Sequence, residues 1–411
     1  MKILMVCFEF PSPTIAGSTR MLHSLPYLGT KHEITLIGWD SPNRADVSRY
    51  CKSVTVLPVP TRSRLELIRI LTLGVLKRPP TVLEYFKSAE MQRVVDQAWK
   101  RERFDMIVID HPHMLGFVAG KYLPIVVLEC FALEQIALDT YRLENKPVSK
   151  ILDFIYARQA HGYAKLYRAA DALIAVSDGQ RDRVLGDCQD LNIKVVPLGV
   201  DVDYYKPLDI ETPYPSITIT GTMSGSRNRA GVLWFYREVY PYIKESVPDV
   251  RLFLVGQNPH KDLLRLQKDN SVTVTGFVED LRIYLGQSWV IASPLTENHG
   301  VKVRLLQAMA MGKAVVSTSM ISGINVTDGK DVMIADFPSG FALHVLTLLR
   351  SRPLRERIGH NARCLMLAEH SWDKYNKEID DILTEVRREY FDYRGRNRGR
   401  GNGKGSVIPK A

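Results

Sequence analysis

The chain has no uninterrupted apolar run near the ~18 residues that a membrane-spanning helix needs. Its five cysteines (Cys7, Cys51, Cys130, Cys188, Cys364) are scattered, with no Cys-x-x-Cys and no Cys/His spacing suited to zinc. That excludes a disulfide-stapled scaffold and a structural zinc module, and it favours a reducing compartment. Neither half carries Gly-x-Gly-x-x-Gly with a distant acidic residue, which argues against a nicotinamide dehydrogenase. From Arg394 to Ala411 there is no acidic residue, and six of the ten net positive charges lie there. The remaining body is only mildly basic. The tail lacks aromatic side chains that stack on bases, so no dedicated nucleic-acid partner is expected.

What is present is 411 residues at 45% apolar and 24% charged, enough for two or three domains with full cores. Lys2–Phe8 superficially resembles the start of a signal peptide. Glu9 and Pro11 interrupt it, and Val6 is too bulky for a lipoprotein box before Cys7, so it reads as a first strand. Short β-branched runs then alternate with helical patterns. In the first half, strands are expected at 2–8, 33–38, 53–57, 105–109, 125–128, 172–176 and 193–196. Helices are expected near 17–28, 89–101, 148–169 and 177–187. Pro197 to Pro215 reads as a linker, after which the pattern restarts. The second half has strands at 216–221, 250–256, 271–275, 288–293, 313–318 and 332–335. Its helices fall near 231–246, 280–287, 301–311, 337–350, 354–369 and 371–389. Two consecutive α/β domains with parallel sheets fit this alternation, with ligand binding expected in a crevice at the carboxyl ends of the strands. Residues 391–411, rich in glycine and arginine, are expected to be a disordered tail.

The most informative segment runs from Pro294 to Ser317: strand, glycine-bearing loop, helix, glycine stop, strand. A loop entering a helix at Gly300 and Val301 presents unpaired backbone N–H groups and the positive end of the helix dipole, a seat for a diphosphate. Lys302 and Arg304 place cations in that first turn, where they are unfavourable unless an anion joins them. His299 and Gln307, eight apart, look along one helix face.

Together with other stretches in the same order, this segment resembles glycosyltransferase family 4 and its GT-B relatives, whose loop leads into a helix ending EAMAxGxPVV. Ile219 to Met223 with Asn228 and Val232–Phe235 is similar to the opening of that family's donor domain. Val274–Asp280 is similar to its strand and base loop, Val195–Asp201 to its linker, His370–Asp373 to the start of its closing helix, and Phe10–Pro11 with Gly17 and Arg20 to its first loop. The resemblance spans about residues 2–389. It implies a GT-B fold of two Rossmann-like domains, 1–198 for the acceptor and 216–370 for the donor, joined by a linker at 199–215. A helix at 371–390 would return to the first domain.

The implied activity is transfer of a sugar, with retention, from a nucleotide-diphosphate sugar to a glycan, lipid-linked or protein acceptor. No cofactor and no metal are expected. Carried over by position, Gly300, Val301 and Arg304 would hold the diphosphate, helped by Lys302 and by Arg227 or Arg229. Gly276, Phe277 and Val278 would edge the base, and Gly17 would leave room for sugar and phosphate. The family's glutamate pair falls on His299 and Gln307. Gln307 keeps one acceptor oxygen for the ribose but loses the charge, and Glu297 stands two residues from His299. The expected acceptor-domain histidine falls at Cys130, leaving Glu129, Glu134, or His111 and His113 as substitutes. Two alternatives share the fold: a nucleotide-sugar epimerase, and a non-catalytic nucleotide-sugar or glycan binder. Asp201-Val202-Asp203 reads as a hinge or cap, not a metal site. Residues 62–78 fit either an amphipathic helix on an anionic membrane or a core-facing helix. A cytoplasmic enzyme, at most peripheral at the inner membrane face, is the resulting expectation.

Overall fold

A computed structural model describes the chain except residues 14–15, 67–68, 71, 73–80, 119, 129–165, 187, 211–212, 297–300 and 399–411. The helix expected at 148–169 lies almost wholly outside the described residues, as does most of the stretch at 62–78. The chain forms two compact units, one of Met1–Val196 with the segment from Tyr375 onward, the other of Pro197–Lys374.

In the first unit, β1 (Lys2–Cys7) is buried from Ile3 to Cys7 on both faces, as a central strand of a parallel sheet must be. Around it lie β2 (Glu33–Trp39), β3 (Ser53–Leu57), β4 (Met106–Ile109), β5 (Ile125–Val127), β6 (Ala172–Ala175) and β7 (Ile193–Val195). Their order is β3-β2-β1-β4-β5-β6-β7, all parallel, so the chain reverses its direction of winding between β1 and β4. Leu4, Val6, Ile107 and Ile109 join Trp39, Met91 and Val95 in one of its apolar layers. The helix Ala89–Arg101 that covers this face starts where the Ser88 hydroxyl accepts from the Met91 N–H.

The second unit repeats the plan. Strands β8 (Ser216–Thr220), β9 (Arg251–Val255), β10 (Val272–Gly276), β11 (Val290–Ser293), β12 (Val315–Ser317) and β13 (Met333–Ile334) run in the order β10-β9-β8-β11-β12-β13. The reversal here falls between β8 and β11. Every strand core coincides with an expected run, because each is a short β-branched segment bounded by turn residues. Short helices at Thr81–Phe86, Pro112–Phe117 (3₁₀) and Lys261–Leu264 were not expected; each is too short to show an apolar period. The helix expected at 231–246 begins earlier, at Ser226, and holds a π turn at Phe235–Val239 just before Pro241, whose ring nitrogen has no proton to donate.

The last helix, Trp372–Arg398, begins in the second unit and continues into the first. It corrects the expectation of a disordered tail from 391, since it runs eight residues past 390, to Arg398, before the description stops. Tyr390 and Arg394, four apart, explain the extension: the guanidinium lies 4.7 Å from the Tyr390 ring centroid, and Arg394 also donates to the Tyr122 carbonyl at 3.4 Å. Within the first unit this helix is fastened by Asp380, which accepts from Lys31 Nζ at 2.6 Å and pairs with His32 Nε2 at 2.7 Å, while Asn376 donates to the His23 carbonyl.

Burial opposes the Asp380 charge, but the Lys31 and His32 hydrogen bonds outweigh it and hold the carboxyl below its ordinary value of 3.8. Because the folded value is the lower one, the ion pair stabilises the protein above about pH 4 and is lost on further acidification. Asp380→Ala leaves the buried His32 without its acceptor and should cost about 1–3 kcal/mol. Hydrogen exchange should then quicken in 376–390 and 16–31, and the difference from the parent should vanish at low pH.

Candidate active site

In a doubly wound sheet the crevice outside the carboxyl ends of the two reversal strands is where ligands bind. In the second unit those strands are β8 and β11. After β8, Gly221 leads through a turn closed by Asn228, whose side-chain amide donates to the Thr222 carbonyl at 3.0 Å. The helix Ser226–Trp234 then begins at Gly225 with no side-chain cap and no acidic residue in its first turn, while Arg227 and Arg229 stand there. After β11, the helix Val303–Ala310 begins in the same way, uncapped and without an acidic first turn.

The expected helix start at Val301 is corrected to Val303. Val301 packs into the apolar layer around Leu305, Met309 and Ile324, and Lys302 has non-helical angles of φ −86° and ψ 87°. Lys302 is therefore the N-cap, and its carbonyl accepts from the N–H groups of both Leu305 and Leu306. The N–H groups of Val303 and Arg304 have no acceptor within the helix. Gly312, at φ +67°, ends the helix as anticipated, with Gly312 N–H bonded to the Met309 carbonyl and Lys313 N–H to that of Ala308.

These two helix starts are held together by close backbone packing. A methyl group on Gly231 would collide with the carbonyl oxygen of Pro294, so the helix after β8 lies directly against the loop after β11. That loop is further tied by the Thr318 hydroxyl, which donates to the Leu295 carbonyl at 2.8 Å. Two positive helix ends and the cations Arg227, Arg229, Lys302 and Arg304 thus belong to loops at one reversal point. Arg304 is exposed and donates to Gln307 Oε1 at 3.3 Å, which places Gln307 one turn below it on the same face. Glu297, His299 and Gly300 lie outside the described residues.

The segment expected to edge the base lies at the end of β10, at the sheet edge. Three strand spacings, roughly 14 Å, separate β10 from β11. Gly276 takes φ +71° and Phe277 projects with 72% of its surface exposed, while Val278 tucks into the core. Asp280 caps the next helix, accepting from the Arg282 N–H at 2.9 Å, and Arg282 lies 3.9 Å from the Tyr204 ring.

Tyr205 was not anticipated. Burial pushes its phenol up, while the nearby Arg304 charge acts in the other direction. Arg363, also missed, donates to the carbonyls of Tyr205 and Ala310, so it pins the turn after Pro197 against the end of the Arg304 helix. Asp201 caps that turn, accepting from the Tyr204 N–H at 2.8 Å. No periodicity marks these residues, because a turn and two distant helices meet only on folding.

In the first unit the corresponding strands are β1 and β4. Asp110, buried after β4, accepts from the N–H groups of Phe8 at 2.7 Å and Glu9 at 3.4 Å, and so fixes the loop after β1. His111 lies 3.3 Å from Asp110, and its ring and that of His113 stand 5.5 and 5.6 Å from Phe8. Both histidines are buried, at 7% and 2% exposure, and so lie beneath the surface and not on a polar rim. Arg20, which the resemblance puts on the acceptor side, is likewise buried, next to Cys7. The backbone of Gly17 lies in the first turn of the helix Ala16–Lys31. Glu129, Cys130 and Glu134 lie outside the described residues.

With this geometry in place, two family profiles match the chain. Residues 27–204 match glycosyltransferase family 4, and residues 214–351 match glycosyl transferases group 1. The chain belongs to the family 4/group 1 glycosyltransferases. A transferase of this class, acting in glycan biosynthesis, therefore displaces the epimerase and non-catalytic alternatives.

Among curated proteins, this glycosyltransferase is 24% identical over 384 residues to an uncharacterized 44.6 kDa protein in the cps region of Klebsiella pneumoniae, covering 88% of this chain and 94% of the other. The fold matches sucrose-phosphate synthase from Thermosynechococcus elongatus with a TM-score of 0.67 at 13% identity, covering 94% and 99% of the two chains. It also matches Anabaena Alr3699/HepE in complex with UDP, with a TM-score of 0.65 at 15% identity, covering 94% and 100%. The two parallel-sheet units are those of the GT-B fold. No helix among the described residues is long and apolar enough to cross a membrane.

Gly231→Ala tests the packing of the glycosyltransferase's second unit. Overpacking against Pro294 should cost about 1–3 kcal/mol, seen as a lower denaturant midpoint at unchanged m-value.

Proposed function

We propose that this enzyme transfers a sugar, with retention at the anomeric carbon, from a nucleotide-diphosphate sugar to a glycan or lipid-linked acceptor, without a divalent metal. The observation that carries the reading is the pair of uncapped, carboxylate-free helix starts, each bearing cations, at the β8–β11 reversal. When the bond between the anomeric carbon and the diphosphate oxygen breaks, a doubly negative leaving group develops. Fixed N–H groups at Val303 and Arg304, with the side chains of Lys302 and Arg304, stabilise that charge and need no reorganisation at the moment of reaction. Arg227 and Arg229 support the same charge from the neighbouring helix.

The nucleoside lies along the carboxyl edge toward Gly276–Val278, and Gln307 offers its amide oxygen to a ribose hydroxyl in place of the Arg304 contact. HepE, a structural relative, is described in complex with UDP, which supports a nucleoside diphosphate as the ligand class. The acceptor is assigned to the first unit, at the loop that Asp110 fixes. The chemistry is assigned to the cytoplasm, peripheral to the inner membrane face where the acceptor is lipid-linked.

Purified protein incubated with a panel of nucleotide sugars should release nucleoside diphosphate, with or without EDTA. No release from any donor, together with no thermal shift by any nucleoside diphosphate, overturns the proposal. Proton NMR of the product should show the donor's anomeric configuration. Arg304→Ala should lower kcat/KM by about 10²-fold or more, the usual cost of one transition-state donor. Gln307→Glu should lower the donor KM several-fold, since an ionised acceptor roughly doubles hydrogen-bond strength.

A further inference from the structure

The amino ends of β11 and β12, opposite the proposed donor site, carry a second concentration of cations. A cavity of about 480 Å³ there is lined by Trp289, Lys313, Arg350, Arg352, Arg355 and Glu356, among others. Its size falls within the range of small-molecule sites. Four cations face one carboxylate, and Glu356 is already engaged by Arg352 at 2.7 Å. Arg350 makes no ion pair among the described residues. Arg355 is spread over the Trp289 ring at 4.3 Å and donates to the carbonyls of Leu348 and Leu349. Lys313 is half-buried and donates to the Gly286 carbonyl at 3.0 Å, with no carboxylate as partner.

We propose that this cavity binds a phosphorylated small molecule, its phosphate or diphosphate group seated among Lys313, Arg350, Arg352 and Arg355. Three uncompensated positive charges call for a multiply charged anion, and the adjoining helix from Arg352, capped by Ser351, has no acidic residue in its first turn. Concavity favours a soluble ligand over a membrane surface: a flat anionic bilayer reaches the exposed Arg350 and Arg352 but not Lys313. The capping bonds that Lys313 and Arg355 make to helix carbonyls account for two of the cations, whereas Arg350 has no such role. Burial and the Arg355 charge lower the Lys313 ammonium to about 8, a shift that an anion seated beside it would oppose. The site is separate from the donor site, yet the helix Val303–Ala310 and its glycine stop carry Arg304 at one end and lead to Lys313 at the other.

The test follows the rate at which acetic anhydride modifies Lys313 at pH 8, read by peptide mass spectrometry on the full chain carrying Arg304→Ala, which weakens the donor site. Millimolar inorganic pyrophosphate should slow Lys313 acetylation at least fivefold, and sodium chloride of equal ionic strength should not. The exposed double variant Arg350→Gln, Arg352→Gln should abolish the protection without changing the melting temperature. Equal rates with and without pyrophosphate, equal protection by salt, or protection that survives the double variant overturns the proposal. Protection by phosphatidylglycerol vesicles but not by pyrophosphate would overturn it in favour of a lipid surface.

Discussion

The second unit depends on an electrostatic arrangement that is unfavourable by itself. Two helices begin at one reversal of the sheet with no side-chain cap, and among the described residues arginine and lysine stand at those starts. Cations at a helix start raise the energy of the free protein. Several other helices use the ordinary solution: Ser88, Ser177, Asp280 and Ser351 each accept a hydrogen bond at the start of a helix. The starts at Gly225 and Lys302 lack such a cap, as does that at Phe337, but they differ from it in bearing cations, and in the function proposed above an anion completes them. Close approach of the helix after β8 to the loop after β11, possible only with glycine at 231, makes the two fields add.

The two units share a strand order around their reversal points but fill them differently. In the second unit the carboxyl ends of β8 and β11 lead to helix starts with backbone N–H groups and cationic side chains. In the first, Asp110 takes up the backbone N–H groups of Phe8 and Glu9, and the rings of Phe8, His111 and His113 pack over them. One reversal point carries helix-start N–H groups beside cations; at the other, Asp110 takes up the N–H groups of the loop.

Much of the architecture was legible in the order of residues. Strand cores from β1 to β13 are short β-branched runs between turn residues, and a parallel sheet buries them on both faces, so their pattern survives in one dimension. The glycine stop at 312 was legible for a similar reason, since a left-handed turn after a helix demands that residue. Less legible were the ends of elements. Val301 has a helix-compatible place in the pattern but is drawn into the apolar layer, which pushes the helix start to Val303. The terminal helix outlasts its amphipathic pattern because Tyr390 and Arg394 extend it locally.

By itself, the order of amino acids determined the two βα repeats and the cations that flank Val301, because those features rest on local spacing and on residue type. Only the tertiary structure decided that Arg20, His111 and His113 are buried and that Tyr205 and Arg363 frame the Arg304 helix. It also decided that Lys313 sits with three arginines in a cavity at the far end of the sheet. Burial and juxtaposition are properties of residues that meet across tens or hundreds of positions, and no local period records such a meeting.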